Sequence, residues 1–242
     1  MKKLLFFLLI FTIISSNAFA AYDQALALFQ EKKYQESLNI LAEDLIVADD
    51  FKPGSPNYKI RFLAAHIHWK LGNEESATIH FRKCMAIDKT KADPYIDLAL
   101  MLLEKGRLNP ASSVAEDGLK VKEDPMLFWI LGRVYYQKEN YWRAKELLER
   151  SVSIDPELYF SYNDLGMALM KLSKFGDANT AFSVALAVNP GSAEINLNLA
   201  QSLIMMGKFN DAEIYAKKAN GLAPDNEMIK NIIKKIEENK SK

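Results

Sequence analysis

The chain has 242 residues, with 31 basic and 31 acidic side chains and 49% hydrophobic residues. The absence of net charge argues against a nucleic-acid binder, which needs a basic face, and so against the use of its many rings as a base-stacking platform. One cysteine, Cys84, cannot form an internal disulfide, so packing alone must hold the fold.

Residues 1–20, MKKLLFFLLIFTIISSNAFA, have the parts of a secretory leader. Lys2 and Lys3 give a positive start, Leu4 to Ile14 an apolar run, and Ala18-Phe19-Ala20 a small-x-small cleavage pattern. The run falls short of the roughly 20 residues needed to span a bilayer, and Ser15, Ser16 and Asn17 end it. Cleavage after Ala20 and export to the periplasm or beyond are expected, with an uncleaved anchor as the alternative. No cysteine follows the run to accept a lipoprotein anchor. No later stretch is long and apolar enough for stable membrane insertion after cleavage, and without Lys2 and Lys3 the remainder is slightly acidic.

From Gly72 onward a period of 34 residues emerges. Gly72 and Gly106, Ala77 and Ala111, Gly132 and Gly166, and Tyr141, Phe175 and Phe209 are so related, as are Ala144, Ala178 and Ala212, and Pro156, Pro190 and Pro224. Each period holds two runs of helical spacing with a short break between them, so each unit reads as a helical hairpin. One example is YFSYNDLGMALMKL, broken at SKF and followed by DANTAFSVALAV. Gly72, Gly106 and Gly207 fall where the first helix must end in a left-handed residue. Asn109-Pro110 reads as an N-cap followed by proline at the first helical position. After Pro224, Met228, Ile232, Ile233 and Ile236 form the apolar stripe of a last amphipathic helix.

This pattern resembles the tetratricopeptide repeat family, which places an aromatic, Leu, Gly and Tyr on the first helix and Ala, an aromatic, Ala and Pro on and after the second. Phe128, Leu131, Gly132, Tyr135, Ala144 and Pro156 match it in one unit, with Leu148 and Ser151 as departures. Tyr162, Leu165, Gly166, Ala178, Phe182, Ala185 and Pro190 match it in the next, with Leu169 in place of the tyrosine. The resemblance implies an all-α fold, an α-solenoid of about six hairpins in a right-handed superhelix closed by a C-terminal capping helix. The units are placed at 21–57, a divergent first repeat, then at 58–91, 92–124, 125–158, 159–192 and 193–226, with the cap over 227–242.

A search for chemistry finds little. His66 and His68 lie two residues apart, roughly 200° around a helix, and cannot share a metal. There is no HExxH, CxxC, GxSxG or glycine-rich phosphate loop. Cys84 falls in a slot for a small residue and reads as a buried hydrophobe rather than a nucleophile. No catalytic residue, metal ligand or cofactor is assigned.

Function is therefore sought on the stripe of each first helix that the repeat packing leaves over, at the fifth, ninth and twelfth positions of a unit. In the resembled family this stripe lines a concave, peptide-binding groove. It carries Phe62, His66 and Trp69; Ile96, Leu100 and Leu103; Trp129, Arg133 and Tyr136; Asn163, Met167 and Met170; and Leu197, Gln201 and Ile204. An apolar strip of this size marks an interaction surface, with partial burial between neighbouring helices as the alternative. Trp129, Arg133 and Tyr136 stand out, because Trp, Tyr and Arg dominate binding hot spots. Met167, Met170 and Met205 add a deformable wall. Only Arg133, Asn163 and Lys171 approximate the carboxylate clamp of some family members, so an apolar or amphipathic segment with its charged end near Arg133 fits better. Trp142 belongs to neither set and is expected on the outer surface.

The expected function is a non-catalytic scaffold or adaptor that holds a protein or peptide in the cell envelope. The alternative is a periplasmic chaperone-like carrier for a secretion, pilus or cytochrome assembly subunit. A homodimer remains compatible with the sequence.

Overall fold

The computed structural model describes residues 20–47 and 56–240. The leader proposed for 1–20 lies outside the described residues except for Ala20. The chain divides into two compact units, Met1–Lys122 and Glu123–Lys242, and among the described residues both are built of α-helices alone.

Unit 1 begins with α1 (20–30) and continues with α2 (Tyr34–Val47), α3 (Pro56–Lys70), α4 (Glu74–Ile87), α5 (Asp93–Glu104) and α6 (Leu108–Val121). Unit 2 comprises α7 (Pro125–Gln137), α8 (Tyr141–Ile154), α9 (Tyr159–Lys171), α10 (Phe175–Val188), α11 (Ala193–Met205), α12 (Phe209–Leu222) and α13 (Glu227–Lys240). Consecutive helices pack against each other within each unit, and in unit 2 the first helices α7, α9 and α11 also touch in succession. This is the α-solenoid arrangement, in which each hairpin buries its apolar face on the next.

The helix breaks follow from backbone chemistry. Gly72, Gly106 and Gly207 have φ of 79°, 70° and 74° and close α3, α5 and α11 with a left-handed residue. The equivalent residues Lys32, Glu139 and Ser173 adopt φ of 62°, 59° and 60° despite their side chains, so hairpin geometry overrides local preference there.

Small residues permit the close packing. Ala77, Ala111, Ala144, Ala178 and Ala212 are fully buried. A Cβ on Gly132 would stand 2.6 Å from Leu148 Cγ, and one on Gly166 would stand 2.5 Å from Phe182 Cε1. Cys84, also fully buried, lies against the Tyr58 carbonyl at 3.7 Å, and burial pushes its thiol up to about 12. An uncharged thiol at that depth serves as packing.

Two local expectations are corrected. Helix α6 starts at Leu108, one residue before Asn109, and Arg107 occupies the cap position with no side-chain cap bond. Pro110 is accommodated inside the first turn, where amide groups have no helical partner. In α13 the buried stripe is Ile229 and Ile236, flanked by half-buried Ile232 and Ile233, while Met228 is 59% exposed. The Asn226 side chain caps this helix by accepting from the Met228 amide at 3.0 Å, which sets the rotation of the stripe. Ile229 packs with Leu197 and Ala219, and α13 contacts both α11 and α12, so it covers the last hairpin.

Candidate functional site

In unit 2 the predicted stripe residues come together on α7, α9 and α11. Trp129 is only 8% exposed. Its indole N–H donates to Asp164 Oδ2 at 2.7 Å, and its ring meets Phe160 edge-on at 4.8 Å between centroids. Arg133 reaches the same carboxylate with Nε at 3.6 Å, and its guanidinium lies 5.4 Å from the Trp129 ring centroid. Asp164 is thereby held between two residues of the preceding first helix.

The environment of Asp164 is a contest. Burial raises its carboxyl, while the Arg133 charge and the Trp129 N–H pull it down; burial prevails, and the group sits at about 6. Near neutral pH the acid is largely ionised and shares the charge of Arg133. Arg133 remains 44% exposed along its side chain, so its outer edge stays open to solvent.

One hairpin further on, the same relation recurs with neutral groups. Asn163 is 6% exposed; its amide N donates to Glu194 Oε1 at 3.1 Å, and its carbonyl accepts from Asn198 Nδ2 at 2.9 Å. In both cases the fifth residue of one unit bonds the sixth of the next. Trp129 and Asn163, expected as open contact points, are instead buried and tie successive first helices together. Leu197, at 6%, is buried in the same slot. The physical reason is that the next first helix packs over this position.

Open surface lies beside these buried ties. Tyr136, Met167, Met170, Lys171, Phe175, Phe182, Asn198, Gln201 and Met205 line a recess of about 390 Å³. Tyr136 packs edge-on against Tyr141 at 5.4 Å, and burial raises its hydroxyl. Met205 is 53% exposed at the rim and Lys171 is exposed beside it. The recess is an apolar cup with an amide and an ammonium at its edge, suited to an apolar side chain next to a polar or acidic group. Trp142 stands apart, 63% exposed with the Lys174 ammonium 4.9 Å from its ring centroid.

In unit 1 the stripe is an aromatic and histidine cluster. The His66 ring meets Phe62 edge-on at 4.8 Å and stacks on Trp69 at 5.9 Å, while Phe29 and Phe81 contact it at 6.4 and 5.5 Å. His66 Nε2 lies 3.0 Å from Asp97 Oδ2. His66 on α3 and Asp97 on α5 stand in the same relation as Arg133 and Asp164 in unit 2: the ninth residue of one unit faces an acid at the sixth of the next. Ile96 and Leu100 are half-buried on α5, and Leu103 is buried at 5%.

Sequence reasoning passed over Asp97, Asp164 and Asn198. The signal was available: all three occupy the sixth slot, where the units beginning at 58 and 125 carry Leu63 and Ile130. No group of three or more His, Cys, Asp or Glu side chains among the described residues is placed to hold a metal ion. The raised carboxyl of Asp164 is accounted for by burial, which outweighs its hydrogen bond from Trp129 and the charge of Arg133.

Family models described as tetratricopeptide repeat match residues 58–91 and 127–158, and residues 169–236. A human relative, protein O-mannosyl-transferase TMTC1, is 21% identical over 179 residues, covering 71% of this chain and 20% of that protein. The chain spans a fifth or less of the length of the curated relatives it matches. Among solved structures, PilW, described as a widely conserved type IV pilus biogenesis factor, superposes with a TM-score of 0.73 at 16% identity, covering 89% of this chain and 98% of that one. YrrB, described as a TPR protein with an unusual peptide-binding site, gives 0.59 at 21%, covering 84% and 97%. At these identities the likeness shows the fold.

Proposed function

The chain belongs to the tetratricopeptide repeat family, and on that premise we propose that it is a non-catalytic protein-interaction scaffold that holds an apolar or amphipathic segment of a partner in the bacterial cell envelope. The observation that carries this reading is the recess of α7, α9 and α11. Met167, Met170 and Met205 present polarizable, unbranched walls there, with Lys171 and Gln201 at the edge. The segment lays an apolar side chain into the cup and an acidic group toward Lys171, while the Trp129–Asp164 and Asn163–Asn198 bonds fix the first helices that carry the cup.

The envelope assignment rests on the leader-like residues 1–20, and the likeness to PilW supports it. Cell fractionation with N-terminal sequencing of the exported protein checks it, with Ala21 as the expected new terminus.

The test of binding places a photoreactive residue at Met205, which is exposed, and compares crosslinked envelope proteins with and without Met170→Glu. One adduct should disappear when the charge is introduced. If every adduct persists in the Met170→Glu protein, the recess is not the binding site.

A further inference from the structure

A second recess lies on unit 1, away from the first-helix stripe, between α4 and α6 and floored by α5. Leu98, the floor, is 1% exposed and sits about 200° around α5 from Ile96, so this surface is separate from the stripe described above. Met85 and Val114 form half-buried walls, and the cavity measures about 600 Å³. The corresponding place in unit 2, between α10 and α12, measures only about 200 Å³. There Tyr215 stands where unit 1 has Val114, whereas the tyrosine of the unit 1 recess, Tyr95, comes from α5, where unit 2 has Asn196.

The two places also differ in charge. Three cations, Arg82, Lys89 and Lys120, line the unit 1 recess, whereas the unit 2 recess has none. The one acid in the lining, Asp117, is already engaged by Lys120 at 2.7 Å. Arg82 and Lys89 are exposed and make no ion pair among the described residues. An apolar floor with a surplus of positive charge at the rim selects a ligand of the opposite pattern.

We propose that this recess is a second docking site, for an acidic amphipathic segment of a partner protein, whose apolar side chains lie on Met85, Tyr95, Leu98 and Val114 while its carboxylates meet Arg82 and Lys89. The site shares no lining residue with the α7–α9–α11 recess, so the scaffold engages two segments at once.

The test uses a fluorescein-labelled amphipathic peptide with Leu and Phe on one helical face and Glu elsewhere, alongside its Lys-for-Glu counterpart, titrated with the full chain at low and high salt. The Glu peptide should bind and weaken with salt, and the Lys peptide should not bind. Arg82→Glu combined with Lys89→Glu should weaken binding by at least about tenfold, and Val114→Tyr should do the same without altering charge. Both sets of changes are on surface or half-buried positions, and circular dichroism checks that the variants fold. Met170→Glu, in the other recess, should leave this binding intact. No binding of the Glu peptide, equal binding of the Lys peptide, or insensitivity to either variant overturns the proposal. Self-association in sedimentation that Val114→Tyr abolishes would make a second copy of this chain the occupant and equally overturn it.

Discussion

Replacing Asp164 by asparagine isolates the balance of forces at the buried tie between α7 and α9. The folded carboxyl sits at about 6 against an ordinary 3.8, chiefly through burial. Because the fold holds this proton to higher pH than the unfolded chain does, the protonated acid stabilises the native state. That contribution is complete below the unfolded value and is lost as pH rises from about 4 through about 6. The interval corresponds to about 3 kcal/mol at most. The side-chain carbonyl of the Asp164→Asn protein can still accept the Trp129 indole N–H, so the variant keeps the 2.7 Å bond and loses only the charge. What it forfeits is the attraction to Arg133 at 3.6 Å, which is weak because that side chain is 44% exposed. Thermal unfolding followed by circular dichroism, at intervals from pH 4.5 to 8, should show the variant equal to the parent at the acid end and more stable by about 1–2 kcal/mol at the alkaline end. The difference between the two proteins is the quantity to read, since other titrating groups cancel in it. A difference that does not vary with pH, or a variant less stable at pH 8, would mean that the ion pair with Arg133 outweighs desolvation, and the reasoning fails.

Three further outcomes are expected from the same structure. His80 carries the opposite sign to Asp164: burial lowers its imidazole to about 4, so its contribution is present above its ordinary 6.5 and is lost as pH falls from there toward 4; His80→Phe, which keeps the ring stacked on His68, should flatten the acid limb of the melting profile. Gly166→Ala should destabilise by about 1–3 kcal/mol in urea unfolding, because the new methyl meets the Phe182 ring at 2.5 Å, whereas Gly176→Ala, with nothing within 4 Å, should be neutral or stabilising. Ser173→Gly and Glu139→Gly, at φ of 60° and 59°, should each raise stability by up to about 1 kcal/mol, seen as a higher melting temperature.

The hairpins were legible because their signals are periodic. Alanines spaced by one repeat and a left-handed residue at each first-helix end leave little freedom, and Gly132 and Gly166 are buried against Leu148 and Phe182 as their slots require. The recess was legible in part. Tyr136, Met167, Met170 and Gln201 were read from their slots and Lys171 only from its likeness to a clamp cation, while Trp129 and Asn163 are buried between helices. A helical wheel describes one helix at a time and cannot show that the next first helix covers the fifth slot. For the same reason it missed Asp164 and Asn198, whose importance comes only from the residue one hairpin earlier. Arg133 illustrates the cost: read alone it is an open cation, whereas in the fold it shares Asp164 with an indole.

Helix α13 has a consequence for how this array can change in length. It contacts α11 and α12 with its isoleucines and turns Lys230, Lys234, Lys235 and Glu238 to solvent. A hairpin appended after it would find no apolar ledge to sit on. A hairpin duplicated between α12 and α13 would instead keep the same terminal helix on a repeat of the same design. An added hairpin is therefore accommodated between α12 and α13 more readily than on the charged outer face of α13.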